Sequence, residues 1–174
     1  ATDLMQPVTY HSDVRFAREV SIFDEMLPLW VRLAVKAEPA SVADAPVTIE
    51  FSTSQPEHVV VTCHAEGFLL DSRDTTDSSR TILVYPGRPS QWAVFLLTPD
   101  AAAGAGQRAI SLAFLHRGRP AGTARFSVEV RDRPPVVRGP AGAPILRQED
   151  ETSFSELLRF ARVDDFGVGA AVAE

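Results

Sequence analysis

The sequence predicts an all-β fold, an antiparallel β-sandwich of about eight strands followed by a Pro/Gly linker and a short C-terminal helix. Three observations predict it. Apolar and polar residues alternate with a period of two through the first 131 residues. Proline and glycine fall between the alternating runs, where they form turns and leave the strand ladders intact. No long helical apolar pattern separates the runs. A closed barrel is the structural alternative that the sequence leaves open.

Each predicted strand is an alternating or continuous apolar run. The predicted strands cover residues 27–36, 47–52, 59–64, 80–85, 92–97, 110–115 and 126–131, with a weaker strand through 8–10 or 14–16. The nearly continuous runs suit strands that are covered on both faces, or central strands under a loop. Arg117-Gly118-Arg119 separates the last two strands and predicts a hairpin loop, because glycine readily adopts positive φ.

Composition limits the class of function. The 174 residues carry a net charge of −6, which argues against nucleic acid as the main partner. Cys63 is the only cysteine, so no intramolecular disulfide can form, and a reducing, cytoplasmic compartment is expected. No apolar run is long enough to predict a transmembrane segment. Abundant Arg, Ala and Pro, with a single lysine and no asparagine, indicate a GC-rich, bacterial genome.

The chain divides into three parts. Residues 1–131 form the predicted β-sandwich domain, residues 132–150 a Pro/Gly-rich and acidic linker, and residues 151–174 a short amphipathic helix and flexible tail. Ser153 with Glu156 is a capping-box pattern that predicts the start of this helix. A helix this short is unstable alone and must cover another surface, in the same chain or in a partner. The predicted partner-binding residues are its apolar positions, Phe154, Leu157, Leu158 and Phe160.

Two local patterns could carry chemistry. Cys63-His64 pairs a thiol with a base, but adjacent residues on a strand point to opposite faces. We therefore expect Cys63 to be a small buried core residue. Asp71, Asp74 and Asp77 lie in one loop and could hold calcium, which prefers clustered oxygen ligands. Their spacing matches no EF-hand, and a solvated polar loop is the favoured interpretation. We therefore assign no metal site, no cofactor and no catalytic residue.

The last predicted hairpin carries a small basic patch. It consists of His116, Arg117, Arg119 and Arg125. Such a patch could contact an acidic partner, but it is too small for a nucleic-acid surface. Charged residues on a strand edge also protect it from pairing with other chains, and that interpretation is favoured.

The stretch from Leu27 to Val130 resembles a known kind of module. The residues that carry the resemblance are the Phe-Leu-Leu-Thr-Pro segment at 95–99 and the closing hairpin with Gly118 and Gly122. This rhythm is similar to that of the non-catalytic, Ig-like β-sandwich accessory modules of bacterial multidomain effector-type proteins. The resemblance implies a binding or scaffolding role, with any catalysis on a separate domain. It assigns no site residue.

The sequence therefore predicts a non-enzymatic protein-interaction, regulatory or scaffolding module of a bacterial multidomain or multisubunit system. Its partner would be another protein or a neighbouring domain of the same polypeptide, and homo-oligomerisation stays open. The alternative is a calcium-dependent ligand-, glycan- or membrane-binding sandwich, similar to C2 or carbohydrate-binding modules. In that alternative Trp30 or Trp92 would stack on a sugar.

Overall fold

The computed structural model describes residues 6–52, 55–71 and 75–134. These residues form ten strands and one 3₁₀ turn, Ala101–Ala103, with no α-helix among them. The all-β prediction is therefore confirmed. The strands are β1 (Gln6–Arg15), β2 (Glu19–Ser21), β3 (Leu27–Ala34), β4 (Pro46–Phe51), β5 (Glu57–Ala65), β6 (Phe68–Leu70), β7 (Asp77–Val84), β8 (Ala93–Pro99), β9 (Gly106–His116) and β10 (Arg119–Arg131).

The strands are arranged in two five-stranded sheets. The first has the order β4-β1-β3-β8-β6, and the second has the order β2-β10-β9-β5-β7. All pairs are antiparallel except β10 with β2, which pair in parallel from Glu129 to Arg131. The expectation of a purely antiparallel fold is wrong at that pair. β2 is the edge strand at that side of the second sheet, although β1 and β3, its neighbours in sequence, belong to the first sheet.

Both sheets turn their apolar faces into a single core. In β4 the residues alternate strictly, with Val47, Ile49 and Phe51 buried and the residues between them exposed. In β9 the alternate residues Ile110 and Leu112 are fully buried. Fully burying an aliphatic or aromatic side chain of this size contributes about 1.5–3 kcal/mol. One continuous cluster therefore holds the two sheets together.

The strands that the sequence did not predict are short. β2 and β6 have three residues each, which is too few to show alternation. The weak patterns at 8–10 and 14–16 belong to one continuous strand, β1. The pattern was interrupted because Ser12 and Asp13 are polar yet fully buried.

The predicted C-terminal elements lie mostly outside the described residues. β10 ends at Arg131 and the description ends at residue 134. The rest of the predicted linker, the helix in 151–174 and its residues Phe154, Leu157, Leu158 and Phe160 stay predictions. Within the described ranges, no helix has the length and apolar character needed to cross a membrane.

Candidate functional site: a cleft between β4 and the β9–β10 turn

A two-residue turn projects charged side chains from one end of the second sheet. Arg117 and Gly118 form this turn with φ values of 53° and 76°, and His116 pairs with Arg119 across it. Two successive positive φ values are typical of a type I′ turn, whose twist matches that of a β-hairpin. The turn thus holds the side chains of His116, Arg117 and Arg119 together at the tip of the hairpin.

Gly122 sets the distance between the two sheets beside this turn. A bulge interrupts the β9–β10 register between Pro120 and Gly122. A Cβ atom on Gly122 would lie 2.5 Å from the carbonyl oxygen of Pro46 and 3.1 Å from the Cα of Val47. These atoms belong to the backbone of β4 and cannot rotate away. Glycine is therefore required for β10 to approach β4 this closely.

A cleft of about 410 Å³ lies next to this close contact. It is bounded by β4, by the β9–β10 turn and by the first residues of β10. Its lining residues are Thr48, Glu50, His116, Arg117, Arg119, Pro120 and Ala121. The cleft therefore combines parts of both sheets that are far apart in sequence.

Two strand edges border the cleft. Among the described strands, β4 is the outermost of its sheet and pairs with β1 alone. β10 pairs with β9 on one side, and on the other side with β2 over Glu129–Arg131 alone. Within the ranges that the structure describes, no ladder joins β4 to β10. Unpaired edges of this kind accept an added strand from another polypeptide segment.

A carboxylate organises the charges at one side of the cleft. Glu57 accepts a hydrogen bond of 2.8 Å from His116 Nε2 and a second of 3.0 Å from Arg117 Nη2. Burial alone would raise the pKa of Glu57, but the hydrogen bonds from His116 and Arg117 outweigh burial and hold its pKa below the ordinary value. His116 and Arg117 are thereby fixed in place.

Arg119 differs from Arg117 in its surroundings. It is exposed, and it makes no ion pair with any carboxylate in the described part of the chain. Glu50 also lines the cleft. The Arg119 guanidinium therefore keeps its donors available for a carboxylate that enters the cleft, and such charge-assisted hydrogen bonds are among the stronger ones.

The structure divides the predicted basic patch. His116, Arg117 and Arg119 line the cleft together. Arg125 lies opposite Ser111 in the β9–β10 register and does not line the cleft. Six residues of strand separate Arg125 from Arg119, which corresponds to about 20 Å. Arg125 therefore provides a matched control for the charge of Arg119.

Cys63 and His64 do not form a catalytic pair. Cys63 is fully buried in the core, and burial raises its thiol pKa well above the ordinary value. His64 lies on the opposite face, where its ring is hydrogen-bonded to Asp77. A thiol with a raised pKa carries almost no thiolate, so it is a poor nucleophile at neutral pH.

The loop aspartates are engaged in separate contacts. Asp71 is 1% exposed and forms an ion pair of 2.7 Å with Arg80. It also accepts hydrogen bonds from Ser78 Oγ at 2.6 Å and from the Leu96 amide at 3.0 Å. Asp77 contacts His64, and Asp74 lies outside the described residues. No group of three or more His, Cys, Asp or Glu side chains that could hold a metal ion occurs in the described ranges.

Neither tryptophan presents an open ring face to a sugar. Trp30 and Trp92 are 1% and 6% exposed and pack edge to face, with ring centroids 6.2 Å apart. Arg32 covers Trp92 at 4.4 Å from the ring centroid. Arg32 and Arg15 are in turn held by the fully buried carboxylate of Asp13, at 3.0 Å and 2.6 Å. The cluster stabilises the outer side of the first sheet.

Several residues of the cleft were not identified from the sequence. Thr48 and Glu50 alternate with core residues and look like ordinary solvent-facing positions of a strand. Glu57 lies 59 residues before His116 in the chain. No local pattern could reveal that contact, because it depends on the register between β5 and β9.

No protein-family model and no curated protein sequence matches this chain.

Proposed function

We propose that this chain is a non-enzymatic protein-interaction module that binds an acidic, extended protein segment in the cleft between β4 and the β9–β10 turn. The two sheets would form a β-sandwich that acts as a rigid scaffold for the cleft. The module would serve a regulatory or scaffolding role in a bacterial, cytoplasmic multidomain or multisubunit system, in agreement with the resemblance of residues 27–130 to Ig-like accessory modules.

The observation that carries the proposal is the position of Arg119 beside two open strand edges. A segment in β conformation can hydrogen-bond to the free edge of β4 through its backbone. Its side chains then alternate, so one face would meet Pro120 and Ala121 while an acidic residue reaches Arg119. Backbone pairing would supply affinity, and the Arg119–carboxylate contact would supply selectivity.

The chemistry of the described residues supports a binding role more than a catalytic one. The only thiol of the chain, that of Cys63, is buried in the core. The ring of His116, the histidine that lines the cleft, is engaged by Glu57. A contact with a single short segment would bury less than about 1,200 Å², and contacts of that size usually give weak, reversible binding.

The predicted C-terminal helix adds a second contact to the proposal. We propose that Phe154, Leu157, Leu158 and Phe160 bury their apolar face on a partner or on a neighbouring domain. Changing Leu157 and Phe160 to serine should then weaken association with that partner while the thermal unfolding of the sheets stays unchanged. Association that survives both changes would contradict this part.

Calorimetric titration tests the cleft directly. The full chain would be titrated with a short peptide in which valine alternates with glutamate, and with a control peptide that has glutamine in place of glutamate. Arg119→Glu should weaken binding of the glutamate peptide at least about tenfold, because hydrogen bonds to charged groups contribute about 1.5–3 kcal/mol. Arg125→Glu makes the same change of charge outside the cleft.

The Arg125→Glu variant and the glutamine peptide are the two controls. The proposed site requires that the Arg125→Glu variant binds like the wild type and that the glutamine peptide binds more weakly than the glutamate peptide. Equal losses in both variants would mean that only the net charge of the protein matters. An absence of binding by the wild type at millimolar peptide would contradict the proposed function.

A further inference from the structure

We infer that the protein segment bound in the cleft carries a basic residue opposite Glu50 and, two residues later, the acidic residue that contacts Arg119. The inference rests on the proposed function, because it names the sequence pattern that the same cleft selects. The segment pairs antiparallel to β4, and its pattern reads basic, apolar, acidic from the N-terminal to the C-terminal side. Glu50 is then the residue that determines this specificity.

The backbone groups that β4 presents at its free edge belong to Thr48 and Glu50. In an antiparallel pair, directly opposite residues alternate between those that exchange hydrogen bonds and those that do not. The Ser12 amide donates a hydrogen bond of 2.9 Å to the carbonyl oxygen of Ala45, one residue before β4 begins. In the β1–β4 register the odd-numbered residues of β4 therefore bond to β1. The N–H and C=O groups of Thr48 and Glu50 point away from β1, to the free edge.

Pro46 limits the length of a ladder at this edge. It has no N–H, and its carbonyl oxygen lies against Gly122. Within β4 an added strand can therefore exchange hydrogen bonds with Thr48 and Glu50, which are two residues apart. Such a ladder involves three ligand residues. The first and third of them have side chains on the same face as those of Thr48 and Glu50.

Arg119 lies nearer the level of Thr48 than that of Glu50. All three residues line the cleft, on one side of the contact between Gly122 and Pro46. Thr48 and Glu50 follow Pro46 by two and four residues, which corresponds to about 7 Å and about 14 Å. Arg119 is three residues from Gly122, about 10 Å, and the bulge beside Gly122 shortens this distance. The ligand residue opposite Thr48 is therefore the one whose carboxylate reaches Arg119.

Glu50 selects the charge of the other ligand residue. Its side chain is exposed on β4 and lines the cleft. Like charges directly opposite each other on paired strands are destabilising, whereas opposite charges are stabilising. A segment with acidic residues at both positions would be attracted by Arg119 and repelled by Glu50. A lysine or arginine opposite Glu50 makes both contacts favourable.

The antiparallel direction sets the order of the two charges. β4 runs from Thr48 to Glu50, so an antiparallel strand passes Glu50 first. Antiparallel pairing is also slightly more stable per residue than parallel pairing. The basic residue therefore precedes the acidic one. The residue between them points to the other face, where Pro120 and Ala121 favour an apolar side chain.

Three peptides with blocked ends test this pattern by calorimetric titration of the full chain. The first is Val-Lys-Val-Glu-Val, the second is Val-Glu-Val-Lys-Val, and the third is the valine–glutamate peptide Val-Glu-Val-Glu-Val. The first two have the same composition and net charge, so a difference between them reports the order of the charges. We expect the first peptide to bind at least about threefold more tightly than either of the others, because cross-strand charge pairs change affinity by a few-fold each.

A charge reversal at Glu50 tests the role of this residue. Glu50→Lys should reverse the preference, so that the valine–glutamate peptide binds more tightly than Val-Lys-Val-Glu-Val. Glu25→Lys is the matched control, because it makes the same change of charge at an exposed turn residue outside the cleft. Its preference among the three peptides should equal that of the wild type. Thermal unfolding of both variants verifies that they are folded.

The inference and the proposed function fail in different ways. Equal affinity of the wild type for the three peptides, or a preference that survives Glu50→Lys, would overturn the inference and leave the cleft as a binding site for acidic segments. Tighter binding of the second peptide than of the first would overturn it as well. A reversal in Glu25→Lys would assign the preference to net charge, against the inference. Binding of none of the peptides at millimolar concentration would overturn both.

Discussion

Replacing Gly122 with alanine perturbs the contact that joins the two sheets beside the cleft. The new Cβ would lie 2.5 Å from the carbonyl oxygen of Pro46 and 2.9 Å from Cγ2 of Val47. Because ordinary contacts begin near 3.4 Å, β10 and β4 must separate by up to about 1 Å. Overpacking of this kind costs about 1–3 kcal/mol. Restriction of the unfolded chain by alanine offsets about 0.4–1 kcal/mol.

The net destabilisation should be about 1–2 kcal/mol, and a chain of this length then loses about 2–8 °C in melting temperature. Circular dichroism during heating measures this loss, with Thr123→Ala, at an exposed neighbouring position, as the control. A melting temperature at or above that of the wild type would refute the claim that Gly122 is required by the approach of the two strands.

The buried carboxylates and the thiol can each be tested separately. Asp13→Asn should lower the free energy of unfolding by about 3 kcal/mol, because two arginines lose a fully buried carboxylate. Asp44→Asn, at an exposed ion pair, should lower it by less than about 1 kcal/mol. Chemical denaturation measures both changes, and similar costs would contradict the structural role given to Asp13. Cys63 should react with a thiol reagent at pH 8 only after denaturant is added, and fast labelling of the native protein would disagree with its burial. Glu57 has a lowered pKa, so the stability that its carboxylate contributes is present above its ordinary pKa and is lost as the pH falls through the folded-state pKa. Glu57→Gln should therefore destabilise the protein at pH 7 and not in acid. A difference in stability that does not change with pH would contradict this.

The parts of the fold that follow a local pattern could be predicted. In β4 and β9 each buried residue alternates with a more exposed one, so the period of two was sufficient to locate them. The turn at Arg117-Gly118 was predictable because glycine separates two alternating runs. The burial of Cys63 followed from its position on the face that carries Val59 and Val61.

The remaining features depend on long-range register, which a sequence does not display. Asp13 looks like a break in an apolar pattern, and only the pairing of β1 with β3 places it beside Arg32. The cleft likewise depends on the bulge between Pro120 and Gly122 and on the absence of a Cβ atom at Gly122, which together allow β10 to approach β4 closely. The basic residues of the last hairpin were predicted as one patch. Only the structure shows that Arg119 lines the cleft and that Arg125 does not.

Backbone amide NMR of the full chain, recorded during titration with the valine–glutamate peptide, would locate the binding site on the protein. We expect chemical-shift changes confined to Thr48–Glu50 on β4 and to Arg119 and Ala121 on β10, and we expect these changes to be lost in the Arg119→Glu variant. Shift changes that concentrate on the edge strand β7, or that survive the Arg119→Glu substitution unchanged, would contradict the assignment of this cleft as the binding site.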